Sequence, residues 1–222
     1  METLCRQAAV KLVKGEQKSI SVGVKRLKEF LGRKKIYHDV RMQEPQAGVV
    51  TGLAWTSAGG EILFIETSRT RGEGKVQITG QLGDVMKESV QIALTLVKSM
   101  FPEEAEILNE SDIHIHVPAG AVPKDGPSAG ITIVTALTSM LKEKGISPEY
   151  AMTGEVSLRG GVMPIGGLPE KLMAAQRAGI RTVFIPYENR EDLEDVADEV
   201  KEDLTIIPVK RIEEVLQKTN LI

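Results

Sequence analysis

Apolar residues follow two different patterns along the chain, and the change falls near residue 48. Before it, apolar side chains recur at helical spacing over residues 4–13 and again over residues 24–31, which predicts two short helices. Gly15 and Gly32 are expected to end these helices. Short amphipathic helices cannot bury their apolar faces alone, so this head is expected to pack on the rest of the chain or on a partner.

After a polar connector over residues 38–48, short apolar or alternating segments predict strands, and longer apolar periods predict helices. The first two strands, joined by a Ser-Ala-Gly-Gly turn, predict a hairpin. The strands are expected at 49–55, 61–66, 75–79, 112–117, 150–157, 182–186 and 204–208. The helices are expected at 82–100, 129–141, 168–178, 190–203 and 210–217. This order predicts an α/β or α+β domain of about 180 residues.

Composition narrows the class of protein. Hydrophobic residues make up 41% of the 222 residues and the net charge is only −3, which excludes a disordered chain. The single cysteine, Cys5, cannot form an internal disulfide bond. No apolar run reaches the roughly 20 residues of a membrane helix, and charges interrupt residues 1–14, where a signal peptide would lie. We therefore expect a soluble cytoplasmic protein without membrane contacts.

The charge is divided unevenly along the chain. Residues 1–37 carry ten basic and three acidic residues, whereas residues 38–222 carry 18 basic and 28 acidic ones. A basic head is compatible with nucleic-acid binding. The simpler interpretation, a helical piece of another structural unit, is favoured because no aromatic residue interleaves the basic ones before Phe30. Nucleic acid stays a possible partner that no motif supports.

The sequence Gly126-Pro127-Ser128-Ala129-Gly130 joins a predicted strand to the start of a predicted helix. A side chain at this place lies among free backbone N–H groups and near the positive end of the helix dipole. If Ser128 attacks a carbonyl, those groups are suited to stabilise the oxyanion. The alternative, equally supported by the local sequence, is that Ser128 caps the helix and the glycines only form a turn.

The Gly-x-Ser-x-Gly spacing also matches the nucleophile elbow of α/β-hydrolases, in which the histidine of the triad follows the serine. The three histidines here, His38, His114 and His116, all precede Ser128. That triad order is therefore impossible, and the two strand histidines are weak candidates for the base. A nucleophilic serine in this chain needs a base of another kind.

Lys171 is the best candidate for that base. It follows Pro169 near the start of a predicted helix, where the dipole disfavours an ammonium group. Apolar and small residues at 172–175 surround it, and burial would lower the pKa of its amine. By composition alone a surface lysine beside Glu170 is the more common arrangement.

Metal and nucleotide sites find little support. His114 and His116 would point to one face of a strand, but no further ligands follow at zinc spacing, so no metal is expected. The Gly-Glu-Gly-Lys sequence at 72–75 lacks the other residues of a phosphate-binding loop. ATP hydrolysis by this chain alone is not expected.

Five stretches, in the same order, resemble the Lon family of ATP-dependent serine proteases. The sequence Pro-Lys-Asp-Gly-Pro-Ser-Ala-Gly at 123–130 resembles the nucleophile motif of that family. The sequence Gly-Gly-Leu-Pro-Glu-Lys at 166–171 resembles its lysine motif. The other stretches are residues 52–56, 112–118 and 152–155. The resemblance covers the chain from about residue 48 to its end.

The resemblance implies a Ser–Lys dyad, with Ser128 as nucleophile and Lys171 as general base and then acid. Thr153 matches a position that hydrogen-bonds the lysine and helps to orient it. Asp125 matches a residue of the loop before the nucleophile, whose conformation can block or open the site.

Three further residues match family positions near the site. His116 and Glu66 match positions close to it, and the resemblance gives them no defined role. Trp55 would lie on a strand that borders the substrate groove.

The same resemblance implies an α+β fold, a ring of six subunits and unfolded or damaged proteins as substrates. It assigns residues 1–37 to a remnant of the small helical subdomain of an AAA+ module, 38–48 to a connector and 49–222 to the proteolytic domain. ATP and Mg²⁺ would bind the ATPase module, which is expected to be missing here, and this chain would need no cofactor. The alternative is a non-catalytic ring-forming or peptide-binding module of the same fold.

Overall fold

The computed structural model describes residues 2–15, 19–32, 40–56, 59–118 and 123–222. The first two residues of the predicted hairpin turn and the start of the predicted connector lie outside the described residues. The chain divides into two compact units, Met1–His38 and Asp39–Ile222, and each is described by itself.

The first unit contains the two predicted helices. Helix α1 spans Glu2–Val13, and a 3-10 turn at Val24–Arg26 leads into α2, Leu27–Leu31, which ends at Gly32. Phe30 is buried, and the side chains of Lys11 and Arg26 lie over its ring. The same two cations bind the carboxylate of Glu29. Arg26 and Lys11 lower the pKa of Glu29 to about 2.

The second unit contains all of the described strands and the remaining helices. Its strands are β1 (Val49–Thr56), β2 (Gly59–Arg71), β3 (Val76–Thr79), β4 (Ser111–His116), β5 (Tyr150–Met152), β6 (Glu155–Val156), β7 (Val162–Met163), β8 (Thr182–Pro186) and β9 (Thr205–Val209). Its helices are α3 (Asp84–Met100), α4 (Pro102–Asn109), α5 (Gly130–Leu141), α6 (Leu168–Ala178), α7 (Asp198–Asp203) and α8 (Ile212–Lys218).

Seven strands form one mixed sheet in the order β3-β4-β2-β1-β5-β8-β9. The pairs β1/β2 and β2/β4 are antiparallel and the other neighbours are parallel, which confirms the predicted α+β class. The larger apolar core contains residues of α3, α5 and α8. A smaller core gathers residues of α6 and α7 with residues of β1 and β2. The helices therefore cover the sheet in two separate layers.

The helix predicted at 129–141 from its long apolar run is confirmed. Every residue of α5, Gly130–Leu141, is buried, which explains why it shows no polar face. The predictions for α6 and for β8 agree with the structure at both ends.

Two predictions are wrong in detail, and one helix was missed. The strand expected at 150–157 ends at Met152, and β6 pairs with β7 in a separate two-stranded sheet. The helix expected at 190–203 is a 3-10 segment, Tyr187–Asp195, followed by the short α7, because Val196 is extended between them. Helix α4 was not predicted, although Pro102 followed by two glutamates is typical of a helix start.

Candidate active site

Ser128 lies in a 3-10 turn, Pro127–Ala129, that leads directly into α5. Ala129 occupies the capping position of α5, so the alternative that Ser128 caps this helix is wrong. Gly126 has a φ of 125°, which other residues rarely adopt. A Cβ atom on Gly130 would come within 2.8 Å of the backbone nitrogen of Val156. The two glycines thus allow the turn and its close packing on β6.

Lys171 lies one turn into α6 and is only 3% exposed, so the surface alternative for this lysine is wrong. Burial lowers the pKa of its amine from 10.5 to about 8, because a charged group is poorly solvated there. Its Nζ atom donates a hydrogen bond of 3.2 Å to the hydroxyl of Thr153. An amine in this state can exchange protons near neutral pH.

Thr153 connects the serine turn to the lysine. It is fully buried, and its backbone N–H donates to the carbonyl of Phe184 in β8. Its hydroxyl accepts from Lys171 and donates to the carbonyl of Ser128 at 3.4 Å, while the N–H of Gly154 donates to the same carbonyl at 2.8 Å. One segment after β5 therefore brings Ser128 and Lys171, from two different helix starts, to one place.

Ser128 and Lys171 line a cleft of about 790 Å³. Trp55 and Asp125 also line it, as the sequence predicts for residues of the site. The sequence pattern does not single out the apolar residues of the lining, since the alternation of those within the hairpin indicates only a strand and the others carry no distinctive pattern. Those apolar residues include Leu53, Ile62, Phe64, Met86, Pro164 and Ile165.

The Asp125 carboxylate accepts hydrogen bonds of 2.9 Å from the backbone N–H groups of Met86 and Gly126. Met86 belongs to the first turn of α3, so Asp125 satisfies a free donor at that helix start. A Cβ atom on Gly83 would lie 2.3 Å from the carboxylate carbon, which shows how closely the loop approaches α3. In this arrangement Asp125 holds the loop to α3.

His116 and Glu66 face each other across β4 and β2, outside the described lining of the cleft. His116 Nδ1 and His114 Nε2 both lie within hydrogen-bond distance of the Thr79 hydroxyl, at 2.7 and 2.8 Å. Within the described ranges no group of three or more His, Cys, Asp or Glu residues is arranged to hold a metal ion.

The tip of the β1–β2 hairpin extends beyond the sheet. β1 pairs with β5 only at Thr51 and Gly52, and β2 pairs with β4 only from Glu66 onward. Residues 53–56 and 59–62, here called the hairpin extension, pair with each other and have no third strand beside them in the described part of the chain. A two-stranded ribbon is marginal by itself, so its position depends on packing against α6.

We expect Gly60→Ala to destabilise the second unit by about 2–3 kcal/mol, because the new methyl group overlaps backbone atoms of α6. Its Cβ atom would lie 1.9 Å from the Glu170 carbonyl oxygen and 3.0 Å from the Lys171 nitrogen. Urea unfolding measures the change. The control is Gly166→Ala, whose Cβ atom meets nothing within 4 Å. Equal stability of the two variants would show that the hairpin extension does not lie against α6.

Comparison with known proteins places the chain in a class of proteolytic domains. The family described as Lon protease (S16) C-terminal proteolytic domain matches residues 21–221. Because this match covers most of the chain, the chain belongs to that family. The predictions of the family and of a protease are thereby confirmed.

Individual relatives match between 86% and 98% of the chain. A Lon protease of Clostridium beijerinckii is 54% identical over 218 residues, 98% of this chain and 27% of its own length. Lon protease 1 of Bacillus subtilis is 49% identical over 98% of this chain and 28% of its own length. A Lon protease of Methanosarcina barkeri is 54% identical over 86% of this chain and 24% of its own length.

The chain spans about a quarter of the length of the curated relatives that it matches. The similarity begins at residue 21, whereas the sequence motifs indicate a resemblance only from about residue 48. Among the described helices, none is long and apolar enough to cross a membrane.

Proposed function

We propose that the cleft hydrolyses peptide bonds with Ser128 as nucleophile and Lys171 as the base that activates it. The observation that carries this proposal is the buried amine of Lys171, which is bonded to Thr153, whose hydroxyl also contacts the Ser128 backbone. Serine is a weak nucleophile unless a neighbouring group takes its proton. A lysine with a pKa of about 8 is neutral often enough to do so near neutral pH.

In the proposed reaction the Ser128 oxygen attacks the scissile carbonyl while its proton passes to the Lys171 amine. The tetrahedral intermediate collapses, the C–N bond breaks, and the leaving amine takes the proton from Lys171. Water then attacks the acyl ester, Lys171 accepts a proton from it, and Ser128 leaves as a hydroxyl. Thr153 would keep the lysine oriented by accepting its hydrogen bond.

The developing oxyanion would be stabilised by the dipole of α5, a twelve-residue helix that begins two residues after Ser128. The N–H groups of Gly130 and Ile131 at this helix start already donate to the carbonyls of Pro127 and Gly154. The apolar part of the lining would receive side chains of an extended substrate, with Trp55 at its border.

The wider assignments belong to the same proposal. The substrates would be unfolded or damaged proteins delivered by an ATPase module that binds ATP and Mg²⁺, and the complete protein would assemble as a cytoplasmic homohexamer. Residues 1–37 would belong to the small helical subdomain of that module, followed by the connector and the proteolytic domain from residue 49. Membership of the family and a match to relatives several times longer support these statements.

The test is cleavage of an unstructured fluorogenic peptide, together with labelling by a serine-directed fluorophosphonate. We expect turnover, and one adduct, found by intact-mass measurement and mapped to Ser128. The matched control is Ser128→Ala, which should give neither product nor adduct. A peptide that binds without being cleaved, and a chain that takes up no label, would instead support the non-catalytic peptide-binding module.

A further inference from the structure

Arg177, on α6, takes no part in the proposed dyad chemistry. Arg177 lies seven residues after Glu170, so the two share one face of the helix. Its guanidinium donates a hydrogen bond of 2.7 Å to the carbonyl oxygen of Gly60, a residue 117 positions earlier in the chain. Gly60 is buried, although Arg177 is exposed. The contact joins the hairpin extension to α6 beside the lysine.

Gly60 lies directly on the backbone of the first turn of α6. A Cβ atom there would come within 1.9 Å of the Glu170 carbonyl and 3.0 Å of the Lys171 nitrogen, so only glycine permits this approach. A second close contact lies nearby, where a Cβ atom on Gly167 would be 2.8 Å from the Trp55 ring. The hairpin extension therefore covers the first turn of α6 at two points.

The same ribbon supplies part of the apolar surroundings of Lys171. Leu53 and Ile62 belong to one apolar core with Leu168 and Leu172, the neighbours of the lysine on α6. Because no third strand holds the hairpin extension within the described residues, its contact with α6 decides how much water reaches the amine.

We infer that Arg177 is a positioning residue, which through Gly60 holds the hairpin extension against α6 and keeps water away from Lys171. The inference rests on the proposed function, in which the neutral Lys171 amine is the base. Burial is what lowers the pKa of that amine, so its environment should be sensitive to the position of the ribbon.

Other charged groups also lie in the region of the Lys171 amine. Their influence on its pKa has to be distinguished from the influence of the ribbon position. Within the described residues no carboxylate is hydrogen-bonded to the Lys171 Nζ atom, which donates to Thr153. The charged side chains that share the cleft lining or the helix with Lys171 are Glu61, Lys124, Asp125, Glu170 and Arg177. A charge effect of Arg177 would act without moving the ribbon, and this difference can be measured.

The experiment replaces Arg177 by Met and follows kcat/KM for peptide cleavage against pH. We expect the midpoint of the rise to move upward from about 8 by about one pH unit. Turnover near neutral pH should fall about tenfold and return at alkaline pH, a recovery that loss of folded protein cannot produce. Arg177→Lys keeps the charge and a hydrogen-bond donor. In this variant the pH midpoint should return most of the way to the wild-type value.

Trp55 gives an independent readout, because it is the only tryptophan of the chain and packs on Gly167. In Arg177→Met its quenching by acrylamide should increase, because the ribbon has moved. The matched control is Arg181→Met, which removes the same charge at an exposed site just after α6 and outside the described cleft lining, and should change neither readout.

An unchanged pH midpoint in Arg177→Met overturns the inference, whether or not the quenching changes. A shifted midpoint with unchanged Trp55 quenching also overturns it, since the arginine would then act through its charge. If wild-type turnover does not depend on Lys171, the proposed function fails instead. The titration of the Lys171 ε-methylene signal by NMR, assigned through its loss in Lys171→Met, then decides whether Arg177 controls the environment of the amine.

Discussion

Lys171→Ala is expected to lower kcat for peptide cleavage at least about 10³-fold, because the base that accepts the Ser128 proton is removed. Ser128→Ala should cost at least as much. The double variant should lose little more than either single one, since two groups that act as a unit are not additive. Cleavage of an unstructured fluorogenic peptide measures all three.

The role of Lys171 as a base also predicts how kcat/KM of the wild type depends on pH. Below a pKa of about 8 the Lys171 amine is protonated and cannot accept a proton, so kcat/KM should rise with pH and level off above that value. Lys171→Ala should lack this rise. The control is Lys87→Ala, an exposed lysine on α3 outside the described lining of the cleft. Near-wild-type turnover of Lys171→Ala at about pH 7 would end the dyad hypothesis.

The sequence predicts the local placement of the dyad well, because each residue carries its own local signal. Pro127 and the glycines around Ser128 indicate a tight turn, and Pro169 indicates the helix start near Lys171. The burial of the lysine is a different matter. It depends on Gly60 and the hairpin extension, which contact α6 across more than a hundred residues of sequence, and a periodicity pattern carries no information on such contacts.

Two other features show the same limit. Asp125 is predicted as a residue of the active-site loop, but its bond to the first turn of α3 depends on the fold of a segment about forty residues earlier. His116 and Glu66 are predicted near the site from the family resemblance, whereas they lie outside the described lining of the cleft. In both cases the contacts of the residue are decided by tertiary packing.

Lys171→Met is expected to raise the free energy of unfolding at about pH 7 by about 2–3 kcal/mol, although the proposed mechanism requires it to lose activity. The pKa of the amine is 10.5 when it is solvated and about 8 in the folded chain. Below pH 8 the group is charged in both states, and the folded state bears the desolvation cost of that charge. Methionine fills the same space without a charge. Urea unfolding followed by Trp55 fluorescence measures the difference.

The pH dependence of the gain in unfolding free energy shows whether it comes from removing the charge or from better packing. Between pH 8 and 10.5 the unfolded wild type binds more protons than the folded one, so wild-type stability rises with pH across that window. Lys171→Met has no such rise, and its advantage should therefore shrink as pH increases. Lys218→Met, at an exposed site, should stay within about 0.5 kcal/mol of wild type. A gain that is constant with pH would show that the charge is not the cause. A gain that shrinks would show that the folded chain gives up stability to keep an amine where the proposed chemistry needs it.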